Sequence, residues 1–299
     1  MKTRRQLLTA AASAMGGTVL LAACNDDKKG SNSSPTTAAG PSDGTDLTDA
    51  FYLVQRFPSQ PLFVPGLESR LPVSIPKGDE GALRNDGPAQ ITGWIETFDG
   101  ERVTDIVGLR RNDGIAAAYW EVRAVLPEAK VYALRFDGDD GSGAMFEVWD
   151  REYVKSPITG SELAPFDTPT TDDHRGVEPY CSRTDPCPFH EVTLTDALAS
   201  GKPVIYMVGT PAHCTTGTCG PGLEFLIEEG ERLGDSVVIV HADVYADNEA
   251  IEVAPAVTAL GIEYEPIIYF CSADTTIVDR LDGVWDRSEL RERVDLLLA

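Results

Sequence analysis

The chain has 299 residues, with 48 Asp and Glu against 25 Lys and Arg, a formal net charge of −23 and 42% hydrophobic residues. That length admits more than one domain with a core of its own, and so acidic a surface argues against nucleic acid as a partner and repels anionic lipid headgroups. Six cysteines make the compartment in which the chain works the first question, because thiols mean different things in reducing and oxidising surroundings.

The first residues answer it. Lys2, Arg4 and Arg5 precede an uncharged run from Gln6 to Ala23 that is too short and too rich in small residues for a comfortable membrane span. This is the pattern of an export signal. The run ends in Leu21-Ala22-Ala23-Cys24, which resembles a bacterial lipobox, where the cysteine thiol takes a diacylglycerol and becomes the new N-terminus. Residues 1–24 then form a lipoprotein signal peptide, and Cys24 is the lipidation site. Arg4-Arg5 followed by Gln6-Leu7-Leu8 also resembles a twin-arginine export signal, a route for folded proteins. Loss of Lys2, Arg4 and Arg5 from the 25 basic residues leaves 22 against 48 acidic ones, a net charge of about −26, so attachment to the membrane falls to the acyl chains. Cys181, Cys187, Cys214, Cys219 and Cys271 are left in an oxidising, extracytoplasmic compartment, enough for two disulfides and one free thiol.

Residues 25–49 are built of Ser, Thr, Gly, Pro and Asp without apolar periodicity and read as a flexible tether. Over residues 50–152 short alternating or apolar runs, among them "AQITGWIETF", "KVYALRF" and "AMFEVWD", are separated by turn signals such as Asp99-Gly100 and Asp113-Gly114. The strand spacing predicts an antiparallel, immunoglobulin-like β-sandwich, without cysteines for an inter-sheet disulfide. "DGDDGSG", from Asp137 to Gly143, is read as a hairpin turn in preference to an oxygen-rich calcium loop, since the turn needs the same residues. Residues 153–190 are Pro-rich and polar, the composition of an inter-domain linker. Cys181 and Cys187 stand near its end with Asp185-Pro186 between them to turn the chain, and a local disulfide is the expected use. The metal alternative wants a second cluster of matching spacing, which His174 and His190 do not offer.

From 191 onward the periodicity becomes informative. "LTDALASGKP" is a short helix stopped by Gly201 and Pro203, and "VIYMV" a buried strand that runs into a loop holding Cys214 and Cys219. A helix follows, with Pro221 in its first turn, Leu223, Leu226, Ile227, Gly230 and Leu233 on one face and Glu224, Glu228, Glu229 and Glu231 on the other. "SVVIVHADV" is a second buried strand, and "APAVTALGI" a helix opening at Pro255 and ending at Gly261. "EPIIYF" and "TTIVDRLDG" make a pair of strands, and Asp286 with Glu289 a capping box for a last helix with Leu290, Val294, Leu297 and Leu298 inward.

The order β-α-β-α-β-β-α, with "CGP" (Cys219 to Pro221), Pro266 opening a strand in "LGIEYEPIIYF", and "LDGVWDRSELRERV" entering the last helix, resembles thioredoxin over residues 191–299. The whole chain resembles bacterial extracytoplasmic thioredoxin-domain lipoproteins. The fold class expected is therefore multidomain, an immunoglobulin-like β-sandwich followed by an α/β thioredoxin-like domain. The resemblance gives a fold and a site, with a cis-Pro266 facing Cys214 and Cys219, and supplies no substrate; the fold order, the helix start after the two cysteines and the facing proline put thiol-disulfide exchange on other exported proteins first, with no cofactor expected.

The departures from the family pattern leave alternatives open. Four residues, not two, separate the cysteines, so either Cys214 attacks and Cys219 resolves, or "CGPG" lies on the thioredoxin "CGPC" with Gly222 in place of the resolving sulfur. Either way the cysteine at the helix start should favour thiolate. Val208 occupies the place of the family's buried carboxylate, which leaves His213, beside Cys214, as a candidate proton carrier. Copper or another soft metal could use the same two cysteines with His213 or His241. A third reading is a binding module whose disulfide only stiffens the loop. Peroxidase chemistry fails on spacing, because Thr218 stands where the attacking cysteine would be. Cys271 is expected to be a free, buried thiol.

Overall fold

A computed structural model describes residue 47 and residues 50–78 and 81–299. The signal, Cys24 and nearly all of the tether lie outside the described residues.

The N-terminal domain is formed by β1 (Val54–Gln55), β2 (Glu68–Arg70), β3 (Val73–Ser74), β4 (Gln90–Thr97), β5 (Arg102–Arg111), β6 (Tyr119–Glu121), β7 (Arg123–Val125), β8 (Val131–Phe136) and β9 (Ala144–Glu147). Seven of these strands make one antiparallel sheet in the order β1-β3-β6-β5-β4-β8-β9, and β2 pairs with β7 as a separate ribbon. Alternation sends Ile91 and Ile95 of β4 inward, where they join Ile106, Trp120, Leu134 and Phe136 in one core.

The expected immunoglobulin-like sandwich is corrected here to a single sheet curled into a nearly closed barrel. Two glycines allow the curl. A Cβ on Gly93 would lie 2.0 Å from the Arg135 carbonyl oxygen and one on Gly108 2.5 Å from Phe136 Cζ, so one phenyl ring fills the space both leave. The N-terminal segment spans the gap, since β1 pairs with β3 at one edge while Phe51 O accepts from Asp140 N (2.8 Å) and Phe63 O from Trp149 N (2.8 Å) near the other. In the Asp137–Gly143 turn, Asp139 holds Arg135 (2.7 Å) and the Gly141 amide (2.9 Å), and Asp140 the Ser142 amide (2.8 Å).

The C-terminal domain follows the expected order: α1 (Leu194–Ala199), β10 (Val204–Val208), α2 (Cys219–Leu233), β11 (Val238–Ala242), α3 (Pro255–Leu260), β12 (Ile267–Cys271), β13 (Ile277–Asp282) and α4 (Arg287–Leu297). Its four strands lie in the order β11-β10-β12-β13, with β10 parallel to β11 and antiparallel to β12. Apolar side chains leave both faces. Val204, Tyr206 and Val208 pack with α1 and α3, while Ile205 and Met207 pack with Leu223 and Leu226 of α2 and Leu290 and Val294 of α4. Two details of the helices differ from expectation: Glu229 is fully buried among Arg232 and Arg291, and Leu298 is exposed.

Residues 153–190 do not act as a spacer. Leu163 and Phe166 join the core on the α1/α3 face, and Cys181, Cys187 and Phe189 the core on the α2/α4 face. Charged side chains fix the barrel to the α/β domain. Arg70 of β2 grips Glu289 of α4 through two bonds of 2.6 Å, both groups being buried, and Tyr119 bonds the same carboxylate. The capping box is thus half formed: Asp286 accepts from Glu289 N (2.7 Å), but Glu289 turns to Arg70, and Tyr119 OH serves the Asp286 amide (3.0 Å). Beside this pair, burial would raise the Glu121 carboxyl, but Arg70, Arg123 and Arg111 outweigh it and hold the group at about 2. Removing one member of such a pair costs about 3–5 kcal/mol, because the other is left buried and uncompensated.

Candidate functional site

Strand β10 ends at Val208, and the chain crosses Gly209 into the cysteine loop before α2 begins at Cys219. Cys214 and Cys219 are joined by a disulfide, with Cα atoms 5.9 Å apart. The two sulfurs have different surroundings: Cys214 is partly exposed, whereas Cys219 is fully buried as the first residue of α2. Cys214 Sγ accepts from the Cys219 amide (3.3 Å) and lies 3.1 Å from the Thr216 hydroxyl, so a free amide of the helix start points at the outer sulfur. Such a donor favours thiolate.

Of the two alignments left open by the sequence, the bond selects the pairing of Cys214 with Cys219. The alternative place for a second sulfur, Gly222, is closed by packing, because a Cβ there would lie 2.7 Å from Trp285 Cζ2.

The residues facing the pair come from the turn before β12. The Glu265-Pro266 bond is cis, as the resemblance implies. A Cβ placed on Gly209 would meet Pro266 Cβ at 3.2 Å and Cys219 Cβ at 3.5 Å, which puts this proline beside the inner cysteine. Glu265 Oε2 accepts from the Thr210 amide (2.5 Å) and is 3.5 Å from Cys219 Sγ. Burial pushes its carboxyl above the usual carboxylate range. Val208, at the position where thioredoxins carry a carboxylate, is buried on the opposite face of the sheet among α1 and α3 residues. The carboxyl that does stand beside the pair is that of Glu265, directly before the proline. His213 rests edge-on to Tyr245, 6.2 Å between ring centroids, and among the described residues no hydrogen bond joins its ring to either sulfur.

A second sulfur cluster stands apart from this one. Cys181 and Cys187 are free, buried thiols, not the local disulfide expected. A pair of imidazoles stands against them: Cys187 Sγ lies 3.5 Å and Cys181 Sγ 3.9 Å from His241 Nδ1, and His190 Nε2 is 3.3 Å from the same nitrogen. The Cys187 thiol bonds the Cys181 sulfur and, with the imidazoles, pulls the Cys181 thiol well below the usual thiol range. His241, weighed as a partner of Cys214 and Cys219, faces this other pair. Alternation along β11 sends it to the α2/α4 side opposite Met207, and its main-chain amide bonds Phe189 O (3.1 Å), which brings the Cys181–His190 segment alongside. Cys271 is a free, buried thiol pushed up to about 12 by burial.

No protein-family profile and no curated protein sequence matches the chain. Solved structures similar to it include the C-terminal domain of a protein from Bacteroides thetaiotaomicron described as a thiol-disulfide oxidoreductase, and a thiol:disulfide interchange protein of the thioredoxin family from Chlorobium tepidum. Each is 11% identical, covers 48% of this chain and 98% or 100% of its own, and superposes with a TM-score of 0.35. The chain's own strand order, its helices on both faces and a disulfide at the start of α2 define a thioredoxin-like domain. It is carried beside a nearly closed β-barrel in one multidomain chain.

Proposed function

We propose that the protein is a membrane-anchored, extracytoplasmic thiol-disulfide exchange protein that acts on exported proteins through Cys214 and Cys219. The observation that carries this reading is the asymmetry of the pair: an outer sulfur within reach of solvent, bonded to a buried one that has a carboxyl 3.5 Å away. A disulfide placed only to stiffen a loop has no need of an acid beside its inner sulfur.

In the oxidising direction a client thiolate attacks Cys214 Sγ. A client–Cys214 bond forms, the Cys214–Cys219 bond breaks, and Cys219 leaves with the electron pair and takes the Glu265 proton. A second client thiolate then attacks the client's sulfur in the mixed disulfide, and Cys214 leaves as thiolate beside the Cys219 amide. The client loses two electrons and the pair gains them; the reverse sequence reduces a client. Pro266 lacks an N–H and leaves room for an extended client strand to approach the outer sulfur. Cys24, acylated after removal of the signal, holds the chain at the membrane.

Measurement of the reduction potential of the Cys214/Cys219 pair tests the reading. A value between about −120 and −270 mV agrees with exchange, and one below about −300 mV makes the disulfide a staple and the chain a binding module. Cys219→Ser should accumulate mixed disulfides of exported proteins on Cys214. Cys24→Ala should release the chain from the membrane fraction or leave its signal unprocessed.

A further inference from the structure

We propose that Cys181, Cys187, His190 and His241 form a closed, tetrahedral zinc site, separate from the Cys214/Cys219 pair and independent of the exchange reading. All four side chains are buried, and their ligand atoms lie within 4.8 Å of one another. A tetrahedron with Zn–S of about 2.3 Å and Zn–N of about 2.05 Å sets two nitrogens about 3.3 Å apart and a nitrogen and a sulfur about 3.6 Å apart. The structure has 3.3 Å between His190 Nε2 and His241 Nδ1, and 3.5 and 3.9 Å from His241 Nδ1 to the sulfurs of Cys187 and Cys181.

The outer hydrogen bonds fix which nitrogens face the centre. His241 Nε2 lies 2.8 Å from the Gly209 carbonyl oxygen and His190 Nδ1 3.5 Å from that of Pro169. A carbonyl only accepts, so those ring nitrogens carry the protons, and in the neutral rings that ligate a metal the other two turn bare lone pairs toward each other in a buried place. Two facing lone pairs with two sulfurs around them call for a cation. The Cys187 amide donates to Cys181 Sγ (3.4 Å), a bond suited to a thiolate. Asp243, whose carboxylate takes the Ser182 amide at 2.8 Å and stands 3.7 Å from His241 Nε2, holds the residue after Cys181 to the end of β11.

The ligand types select the metal. Two thiolates and two imidazoles in a closed set suit zinc, which is redox-inert and takes four such ligands in structural sites, and the full coordination leaves no position for a substrate. The ion would clamp the Cys181–His190 segment to β11 and shield both thiols from oxidation.

The test uses the full-length chain, purified from membranes in detergent without chelators. Elemental analysis should find one zinc per chain, and the Cys214→Ser/Cys219→Ser double variant should keep it. Replacement by cobalt should give sulfur-to-cobalt charge-transfer bands and the intense visible bands of tetrahedral cobalt. Cys187→Ser should lose the zinc. Should that variant fold poorly, alkylation of the unaltered chain decides: Cys181 and Cys187 should be protected until a chelator is added, after which both react while Cys271 does not. A Cys181–Cys187 disulfide in the purified chain, copper retained in preference to zinc, less than half an equivalent of zinc, or loss of zinc in the double variant would each overturn the proposal.

Discussion

The two sulfur clusters differ in what surrounds each pair of thiols. Cys214 and Cys219 are five residues apart where a loop enters α2, one sulfur faces outward, and a carboxyl lies beside the inner one. Cys181 and Cys187 are six apart, both are buried, and imidazoles take the place of the carboxyl. A carboxyl can pass a proton to a leaving thiolate, whereas imidazole lone pairs aimed at two buried sulfurs suit a bound cation. Spacing alone does not separate these uses; the neighbours contributed by distant elements do.

The sharpest break in the comparison is Cys214→Ser. It should bring exchange, followed by reduction of a disulfide-bonded exported protein, to the uncatalysed rate while leaving the metal content unchanged. Loss of zinc together with activity would mean that the clusters are not separate.

Glu265→Gln comes next. When Cys219 resolves a mixed disulfide its thiol must give up a proton, and the raised Glu265 carboxyl is the nearest acceptor. Resolution in the native chain should therefore rise with pH as Glu265 ionises, above the usual carboxylate range. The variant should lose that limb and slow by about 10²-fold near neutral pH. Stopped-flow rates across the pH range check both; an unchanged profile removes Glu265 from the mechanism.

Gly222→Cys places a third thiol in the Cys-x-x-Cys register that thioredoxins have. Trp285 occupies that space, so the variant should be destabilised by about 1–3 kcal/mol and should not gain exchange activity. Denaturant unfolding and the same reductase assay read the two outcomes. The smallest effect belongs to Cys271→Ala. With its thiol buried and pushed up to about 12, Cys271 is a small apolar side chain, and its truncation should cost about 1 kcal/mol without changing exchange or metal content. An effect on either would give the chain a third working sulfur.

Much of the α/β domain could be read from the sequence because its strands are apolar on both faces and are bounded by Gly and Pro, as at Gly201, Pro203, Gly261 and Pro266. The barrel was half legible. Alternation in "AQITGWIETF" tells which side chains turn inward, but whether one sheet curls or two sheets stack depends on Gly93 and Gly108 meeting one ring and on Phe51 and Phe63 reaching past an edge. Glu265 does not stand at the thioredoxin carboxylate position, which Val208 occupies, although an acidic residue directly before the strand-opening proline is a usable signal. His241 lies with Cys181 and Cys187, not with Cys214 and Cys219 as its sequence position suggests. Its partners Cys181, Cys187 and His190 are fifty or more residues away in sequence, and only the pairing of their segment with β11 brings them together.

Gly209 separates the two sulfur clusters by the width of one peptide. Its N–H is held by Ala242 O (3.0 Å), its carbonyl by His241 Nε2 (2.8 Å), and a Cβ on its Cα would already press on Pro266 and Met207 at 3.2 and 3.3 Å. Held in all these directions, it is a fixed partition. Opening of the Cys214–Cys219 bond is therefore expected to move the outer side of the loop, where Ala212 and residues 215–217 are exposed. Under the proposed exchange reading, the oxidised and reduced forms would share an inner wall and differ at their rim, the surface offered to a client.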